Sequence, residues 1–545
     1  MIRKPDLILP RPLSTKAPWL PAAVVILLAI PLLAHGIRRG DFYFNDDETL
    51  HAVGGLFFAD VLHDWPITDP MHYGLRWYAH YPALGIGVWP PLVYLVEGIF
   101  FLVLGPSPVT ARLAILSFAL FGLYYWYRLV AKLLNQWAAV FATLLFALLP
   151  FVLIFERSVM LEVPALSLCI AATSSWLSYL ESEEPKELYW FALFSALALL
   201  TKQLSIYLVL FCLLTLLTEK KLRLLRTRSM LVALGMILLL AGPFYVFAFR
   251  LAFTVAKLDV IPKGNEHLNA LLFYPHALLV QLGLPLLVLS MVGIVTCRWW
   301  ASTRLLRLIG AWIAACYLAF SFLRDKDPRF AIYWIPAFLL LIIGPLTSSA
   351  VPRRARIITV PVLALLIAHE TWVAWHFQRE YVSGYEPIAR KIMENGRPGF
   401  VLFDGQLPGN FVFYVRTLDP KRECVVLRKV LYATLIGKSI GSVEFVHDRA
   451  ELVRLLSLYG VRYIVVDNGP TEFDIQKTLR NYLQDSPYRL LATFPIESNA
   501  AYWKGRKFFV YESPAPLEVT AQSLDLTMLT MGRKIVIPIN DLEIK

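Results

Sequence analysis

Residues 109–180 read VTARLAILSFALFGLYYWYRLVAKLLNQWAAVFATLLFALLPFVLIFERSVMLEVPALSLCIAATSSWLSYL. Three apolar runs stand out, 109–128, 136–154 and 162–180, each close to the roughly 20 helical residues that a bilayer core requires. Apart from Arg112, the charges collect at the junctions: Arg128 and Lys132 between the first two runs, and Glu156, Arg157 and Glu162 between the second and third. Basic junctions are retained on the cytoplasmic side, so the acidic one faces the opposite side. The stretch therefore predicts a polytopic helical membrane protein with a defined orientation.

Working outward, eleven candidate spans emerge, at 18–36, 109–128, 136–154, 162–180, 187–201, 203–218, 229–249, 279–297, 306–323, 330–347 and 356–376. The fifth and sixth are short, with a break around Lys202. Basic clusters at the N-terminus, Arg128/Lys132, Lys220–Arg228, Arg298/Arg304/Arg307 and Arg353/Arg354/Arg356 all fall inside when the chain crosses eleven times. Outside are the loop 37–87, the turn 156–162, the stretches 251–278 and 324–329, and everything after 377. The apolar run 90–104 breaks that parity and predicts a re-entrant or interfacial helix. The first run, flanked by basic residues and lacking a small-residue cleavage site, reads as a retained signal anchor.

Composition agrees: 57% of the 545 residues are hydrophobic and 17% charged, which excludes an ordinary water-soluble enzyme. The net charge of +12 is concentrated between apolar runs rather than interleaved with exposed aromatics, which argues against a nucleic-acid partner. Five scattered cysteines build neither a disulfide framework nor a CxxC metal site. After His376 the composition turns soluble. Strand-like runs at 399–404, 423–428, 461–467, 488–494 and 507–512 alternate with helical patterns, predicting a largely parallel α/β domain. The expected division is a transmembrane catalytic domain, 1–376, that includes the outer loop 37–87, and an extracytoplasmic α/β domain, 377–545.

Chemistry-bearing residues gather on the outer side. The loop DFYFNDDETLHAVGGLFFADVLHDWPITDPMHYGLRWYAHYP carries Asp47 and Glu48, four histidines including His51 and His80, and the aromatics Trp65, Trp77, Tyr78 and Tyr81. Asp47 and Glu48 also suit the N-terminus of a helix starting near Thr49. No HExxH spacing supports zinc, and a divalent metal stays the lesser alternative. The turn FERSVMLEVPA groups Glu156, Arg157 and Glu162, charges that a membrane tolerates only when paired or used. Outer cations, His276 and Lys326 with Arg329 in RDKDPRF, oppose the inside bias and fit a lipid phosphate.

These features together resemble the GT-C membrane glycosyltransferases, nearest the branch of the protein O-mannosyltransferases and the lipid A aminoarabinose transferase. The resemblance covers roughly residues 18–376. It rests on Asp47–Glu48 opening the first outer loop and Trp89-Pro90-Pro91-Leu92 closing it. Further carriers are Arg157, Glu162 and Pro164, Thr201–Lys202, the segment around His276, and the late motif of Lys326, Pro328, Arg329 and Phe330. Three positions depart from the family pattern: Trp89 replaces a basic residue, Glu162 an Asp, and His276 an Arg. The outer α/β tail also looks like one found in bacterial members.

The resemblance implies inverting transfer of a sugar from a polyprenyl-phosphate donor to an acceptor hydroxyl of a glycan, lipid or protein at the outer face of a bacterial inner membrane. The N-terminus would then be cytoplasmic and the α/β domain periplasmic. Asp47 is the expected base, with Glu48 or Glu162 orienting the acceptor or sharing the role. Lys202, His276, Lys326, Arg329, Arg76 and His80 are the expected phosphate contacts, the last three being candidates to stand in for the cation missing at Trp89. Glu156 and Arg157 support the second motif. Trp65, Trp77, Tyr78, Tyr81 and Trp89 are the stacking candidates. No cofactor is required. The alternative class, a transporter or flippase of a lipid-linked sugar, fits less well because the charges lie on one face and no repeat is visible.

Overall fold

The computed structural model describes residues 19–85, 87–251, 266–323, 326–348, 353–394, 396, 398–434, 442–514, 518–528 and 533–542. The basic N-terminal flank of the first run, residues 1–18, and Arg324 lie outside them. The chain begins with α1 (Leu20–Leu33). The outer loop folds into α2 (Asp47–Asp64) and α3 (Pro70–His80), and α4 (Leu92–Leu104) follows. Then come α5 (Pro108–Leu133), α6 (Gln136–Leu148), α7 (Pro150–Glu156), α8 (Glu162–Ser182), α9 (Pro185–Leu199), α10 (Tyr207–Thr218) and α11 (Arg228–Leu251). The bundle closes with α12 (Glu266–Val295), α13 (Thr303–Ser321), α14 (Ile335–Thr347) and α15 (Arg353–His376).

Local sequence sets these boundaries. The side chains of Ser107, Asn135 and Ser302 accept bonds from Thr110 N, Ala138 N and Leu305 N, capping α5, α6 and α13. Pro150 forces Leu149 to an extended conformation, and α6 and α7 meet at 66°. The protein is multi-pass. Among the described residues six helices are long and apolar enough to cross a membrane, and the bent pair α6–α7 makes a seventh. The expected count of eleven includes shorter apolar segments such as α1 and Gln203–Thr218. Helix α14 runs through the centre, with every residue from Ile335 to Gly344 buried, whereas α11 exposes an apolar face rich in Leu and Val, suited to lipid.

The apolar run that breaks the parity is α4. Its thirteen residues make a helix of about 20 Å, too short for a bilayer core of about 30 Å. It lies against α2, and glycines permit the approach: a Cβ on Gly98 would collide with the backbone of Phe58 and Ala59. The far side of α4 exposes Ile99, Leu102, Val103 and Leu104.

The tail contains α16 (Tyr385–Glu394), α17 (Pro408–Leu418), α18 (Arg449–Leu458) and α19 (Asp474–Asp485). Its main sheet comprises β1 (Phe400–Asp404), β2 (Val425–Leu427), β3 (Tyr463–Asp467), β4 (Arg489–Pro495) and β5 (Lys507–Glu512), in the order β2-β1-β3-β5-β4. All five expected strands are present. The sheet is mixed rather than largely parallel: β1, β2 and β3 run parallel, while β5 is antiparallel to both β3 and β4. β1 and β3 are buried along their whole length, as central strands covered on both faces are.

Apolar side chains form two cores. One fills the bundle. The other joins α2, α3 and α4 to the tail, so the outer loop shares its interior with the α/β domain. The join is specific. Asn410 in α17 accepts from Phe42 N at 3.0 Å and donates to Phe42 O at 2.8 Å, while Tyr414 donates to Asp41 Oδ1 at 2.5 Å. Arg112 in α5 binds the carbonyls of Ile37, Arg39, Gly40 and Asp41.

Candidate active site

Helix α2 starts after a single turn, Phe44–Asp46, whose last residue lies in the left-handed region at φ 63°. This reversal is costly for a residue with a Cβ and redirects the chain into α2. Glu48 secures it. One oxygen accepts from Tyr43 N at 2.8 Å and Phe44 N at 3.2 Å, the other from Val159 N at 2.8 Å, with Arg379 Nη1 3.6 Å away. Burial opposes ionisation of Glu48, but Arg379, Arg112 and the two backbone bonds outweigh it and hold the carboxyl below its ordinary range. Both its oxygens are occupied, so Glu48 positions the loop against the α7–α8 turn and has no oxygen free for an acceptor.

Asp47, one residue earlier, points elsewhere. Its Oδ2 accepts from Arg329 Nη1 at 2.8 Å. Arg329 comes from the turn Pro328–Trp334, which Asp327 caps by accepting from Arg329 N, and Asp327 Oδ2 also lies 3.2 Å from Arg329 Nε. Glu162 opens α8 with its carboxylate 3.7 Å from Arg329 Nε and 2.5 Å from Lys202 Nζ. Three carboxylates, Asp47, Glu162 and Asp327, thus face two cations, Lys202 and Arg329. Glu162 and Lys202 are buried, whereas the Asp47 and Asp327 side chains are 20% and 35% exposed, so the cluster opens to solvent on the Asp47 side. Burial pushes the Asp47 carboxyl up, with Arg329 opposing.

Aromatic rings wall the cluster. Arg329 stands over Phe44 and Phe330, and Lys202 over Trp89 and Phe330, at 5.4–5.9 Å from ring centroids. The Trp89 segment docks directly on the α9–α10 break: Gln203 Nε2 donates to Val88 O at 2.5 Å, and Leu92 N to Leu200 O at 3.0 Å. His51, one turn along α2, is buried with its ring against Trp89 and its Nδ1 2.8 Å from Tyr94 Oη; desolvation takes its pKa down to about 3, leaving it neutral.

The remaining candidates stand apart from this cluster. Lys326 Nζ donates to the carbonyls of Ser321 and Leu323, capping the end of α13. His276 is exposed on α12. Arg157 donates to the carbonyls of Leu32, Ala374 and Phe377, tying the ends of α1 and α15 together, with buried Glu156 preceding it. His80 is wedged between Cys424 O and Leu542 O, both 2.9 Å away. Arg76, one turn earlier, lines a cavity at the opposite end of α2. Neither replaces the cation absent at Trp89.

Trp77, Tyr78 and Tyr81 are buried rather than presented for stacking. Their polar atoms are engaged by Asp60, Lys429 and Asp419. Trp65 is exposed, in a left-handed conformation after α2, and Trp89 alone of the five aromatics reaches the cluster. Sequence reading gave Asp327 and Phe44 no role and considered His51 only as one of four histidines for zinc. Among the described residues no group of three or more His, Cys, Asp or Glu is disposed to hold a metal ion.

Residues 88–247 match the family described as dolichyl-phosphate-mannose-protein mannosyltransferase, a stretch that holds Trp89, Glu162 and Lys202. No curated protein sequence matches the chain. Among solved structures, ArnT from Cupriavidus metallidurans bound to undecaprenyl phosphate superposes with a TM-score of 0.60 at 14% identity, covering 91% of this chain and 98% of that one. The archaeal oligosaccharyltransferase AglB from Archaeoglobus fulgidus, in complex with an inhibitory peptide and a dolichol-phosphate, gives 0.50 at 14% identity over 82% of this chain and 69% of that one. The arabinofuranosyltransferase AftD from Mycobacteria gives 0.54 at 14% identity over 93% and 40%. The chain has the GT-C fold of the membrane glycosyltransferases, with a C-terminal strand-containing region.

Proposed function

We propose that the protein transfers a sugar from a polyprenyl-phosphate donor to an acceptor hydroxyl at the outer face of the membrane, with inversion at the anomeric carbon. Asp47 takes the hydroxyl proton as the acceptor oxygen bonds to that carbon. The bond from carbon to phosphate oxygen breaks at the same time, and polyprenyl phosphate leaves with its electron pair. Arg329 and Lys202 meet the charge developing on the leaving phosphate. Lys202 over Trp89 supplies the cation that the family places at position 89, and Glu162 holds Lys202 until the phosphate competes for it. The observation that carries the reading is the Asp47–Arg329 pair beside Glu162–Lys202, assembled from four chain segments at one end of the bundle.

A base needs a carboxyl that is accessible and not too acidic, and Asp47 meets both conditions. The same reading sets the N-terminus in the cytoplasm and the α/β region outside a bacterial inner membrane, supported by the clustering of Lys and Arg. Release of polyprenyl phosphate from polyprenyl-phosphate sugar by the purified protein tests the proposal. Turnover that survives Asp47→Asn rejects the base, and movement of the lipid between leaflets without sugar release favours a flippase.

A further inference from the structure

The connections of the C-terminal sheet leave a gap at one edge. From β1 the chain passes through α17 to β2 on one side, and from β3 it passes through α19 to β4 on the other. The loops leaving these adjacent parallel strands therefore diverge beyond their carboxyl ends, where open α/β sheets bind ligands. Two aspartates end the strands there, Asp404 on β1 and Asp467 on β3, each 2% exposed.

Asp467 is satisfied. Its Oδ1 accepts from Gly469 N at 2.7 Å and Arg480 Nη2 at 3.2 Å, and its Oδ2 from Gln406 N at 2.9 Å. Asp404 is satisfied on one side only. Tyr432 Oη and Gln476 Nε2 both donate to its Oδ1 at 2.8 Å, while the buried Oδ2 has no hydrogen-bond partner among the described residues. The Nε of Arg480 is buried and without a partner in the same sense. The charges of Arg480 and Asp467 bear on Asp404, which therefore faces the gap. One acceptor and one donor are left over, a costly arrangement for buried atoms. A single hydroxyl, which both donates and accepts, completes it.

At the rim, Gln406 Nε2 donates to Tyr502 Oη at 2.5 Å and Gln406 Oε1 accepts from Arg506 Nη1 at 3.1 Å. The Arg506 guanidinium lies 3.6 Å from the centre of the Tyr502 ring, which is half exposed. An amide, a guanidinium and an open aromatic face suit the hydroxyls and the apolar face of a pyranose. A nucleotide is disfavoured, since its phosphate would need the N-terminus of the helix after β1. That end is closed: Pro408 removes an amide, and a Cβ on Gly409 would lie 2.2 Å from Thr49 Oγ1 of α2. The same contact sets the gap beside the sugar-transfer cluster. The buried Tyr385 hydroxyl donates to Gln406 O at 2.9 Å and feels the charges of both Asp467 and Asp46, the residue before Asp47.

We infer that the gap between β1 and β3 binds a saccharide, the glycan portion of the acceptor, through Asp404, Gln406, Arg480 and the Tyr502 ring. Its role as acceptor rests on the proposed sugar transfer, whereas the binding itself does not.

The full-length protein, made in its own host with p-benzoylphenylalanine in place of Tyr502, provides the test. Irradiation of intact cells should give an adduct that carries carbohydrate, detected by periodate oxidation and hydrazide labelling. The same probe in place of Leu490, exposed at the opposite edge of the sheet, should give none. Asp404→Asn, which puts an amide nitrogen where an acceptor stood, and Gln406→Ala should each lower the adduct roughly tenfold, the loss of one good hydrogen bond. Gln406, in a partly exposed loop, carries the test if Asp404→Asn fails to fold. No adduct, an adduct free of carbohydrate, equal labelling from position 490, or labelling indifferent to the substitutions overturns the inference. A saccharide adduct in a protein that releases no polyprenyl phosphate sinks only the sugar-transfer reading, and release without the adduct sinks only this site.

Discussion

The two ends of α2 carry charge clusters of opposite character. At the N-terminal end Asp47 meets Arg329, Glu162 and Lys202 from the membrane bundle, with carboxylates in excess. At the C-terminal end Asp60 and Asp64 meet Arg416 and Arg422 from the C-terminal domain, carboxylate against guanidinium. The first has one carboxylate more than its cations can neutralise, which suits proton transfer. In the second each aspartate is met by a guanidinium, which suits holding α2 to the C-terminal domain. One helix thus separates an acid-rich cluster, the proposed place of reaction, from a fully paired one, and composition alone distinguishes neither.

The comparison is broken most directly by exchanging a single oxygen at each end. Asp47→Asn removes the base, and release of polyprenyl phosphate should fall by about 10²–10⁴. Asp60→Asn, which strands Arg416, should lower thermal stability yet leave turnover per folded molecule near wild type. Equal losses of turnover at both ends would merge the two clusters into one site.

Lys202→Met strands buried Glu162 and should cost about 3–5 kcal/mol, read as a lower melting temperature in detergent. The double change Lys202→Met/Glu162→Leu should recover much of that stability and none of the turnover.

Acidification separates function from fold. Asp47 is raised, so the basic form needed for activity is lost, as pH falls, already above the ordinary aspartate range. Glu48 is depressed, so its contribution to folding is present above the ordinary glutamate range and is lost only as pH falls through a lower value. Between the two, the protein should melt cooperatively and turn over slowly. A pH–rate profile recorded beside melting curves checks this, and coincident midpoints would contradict it.

The smallest effect concerns the join at the N-terminal end. A Cβ on Gly409 would collide with Thr49 Oγ1, one turn into α2. Gly409→Ala should therefore cost about 1–3 kcal/mol of overpacking, read as a lower melting temperature, and slow turnover through displacement of Asp47.

Much of the fold was legible because its signals are local. Apolar runs gave the helices, a failed parity gave α4, and alternating β-branched runs gave the five strands. The sense of β4 and β5 was not legible, since strand direction depends on which neighbour is met. At the site, Asp47 and Arg329 are 282 residues apart, and nothing local pairs them. His80 and Arg76 were assigned to phosphate because their types suited it. The helical phase of α3 instead turns His80 to carbonyls of the outer domain. Lys326 and Arg329, three residues apart, differ because Asp327 begins a turn between them that sends one to a helix end and the other to Asp47. Glu48 was expected to orient the acceptor or share the base's role, but the left-handed residue before α2 turns the amides of Tyr43 and Phe44 onto it, and the α7–α8 turn adds that of Val159.

The clasp of Asn410 and Tyr414 on residues 41–42 also bears on biosynthesis. The segment that orients Asp47 is made early, but the side chains that hold it come some 370 residues later. During synthesis at about 5–20 residues per second this interval lasts tens of seconds. Until the outer domain folds back, the bundle carries its cations and acids without the alignment that joins them. On the proposed reading a nascent chain is therefore silent, and activity switches on as a late event of maturation, once the final segment has folded back onto residues 41–42.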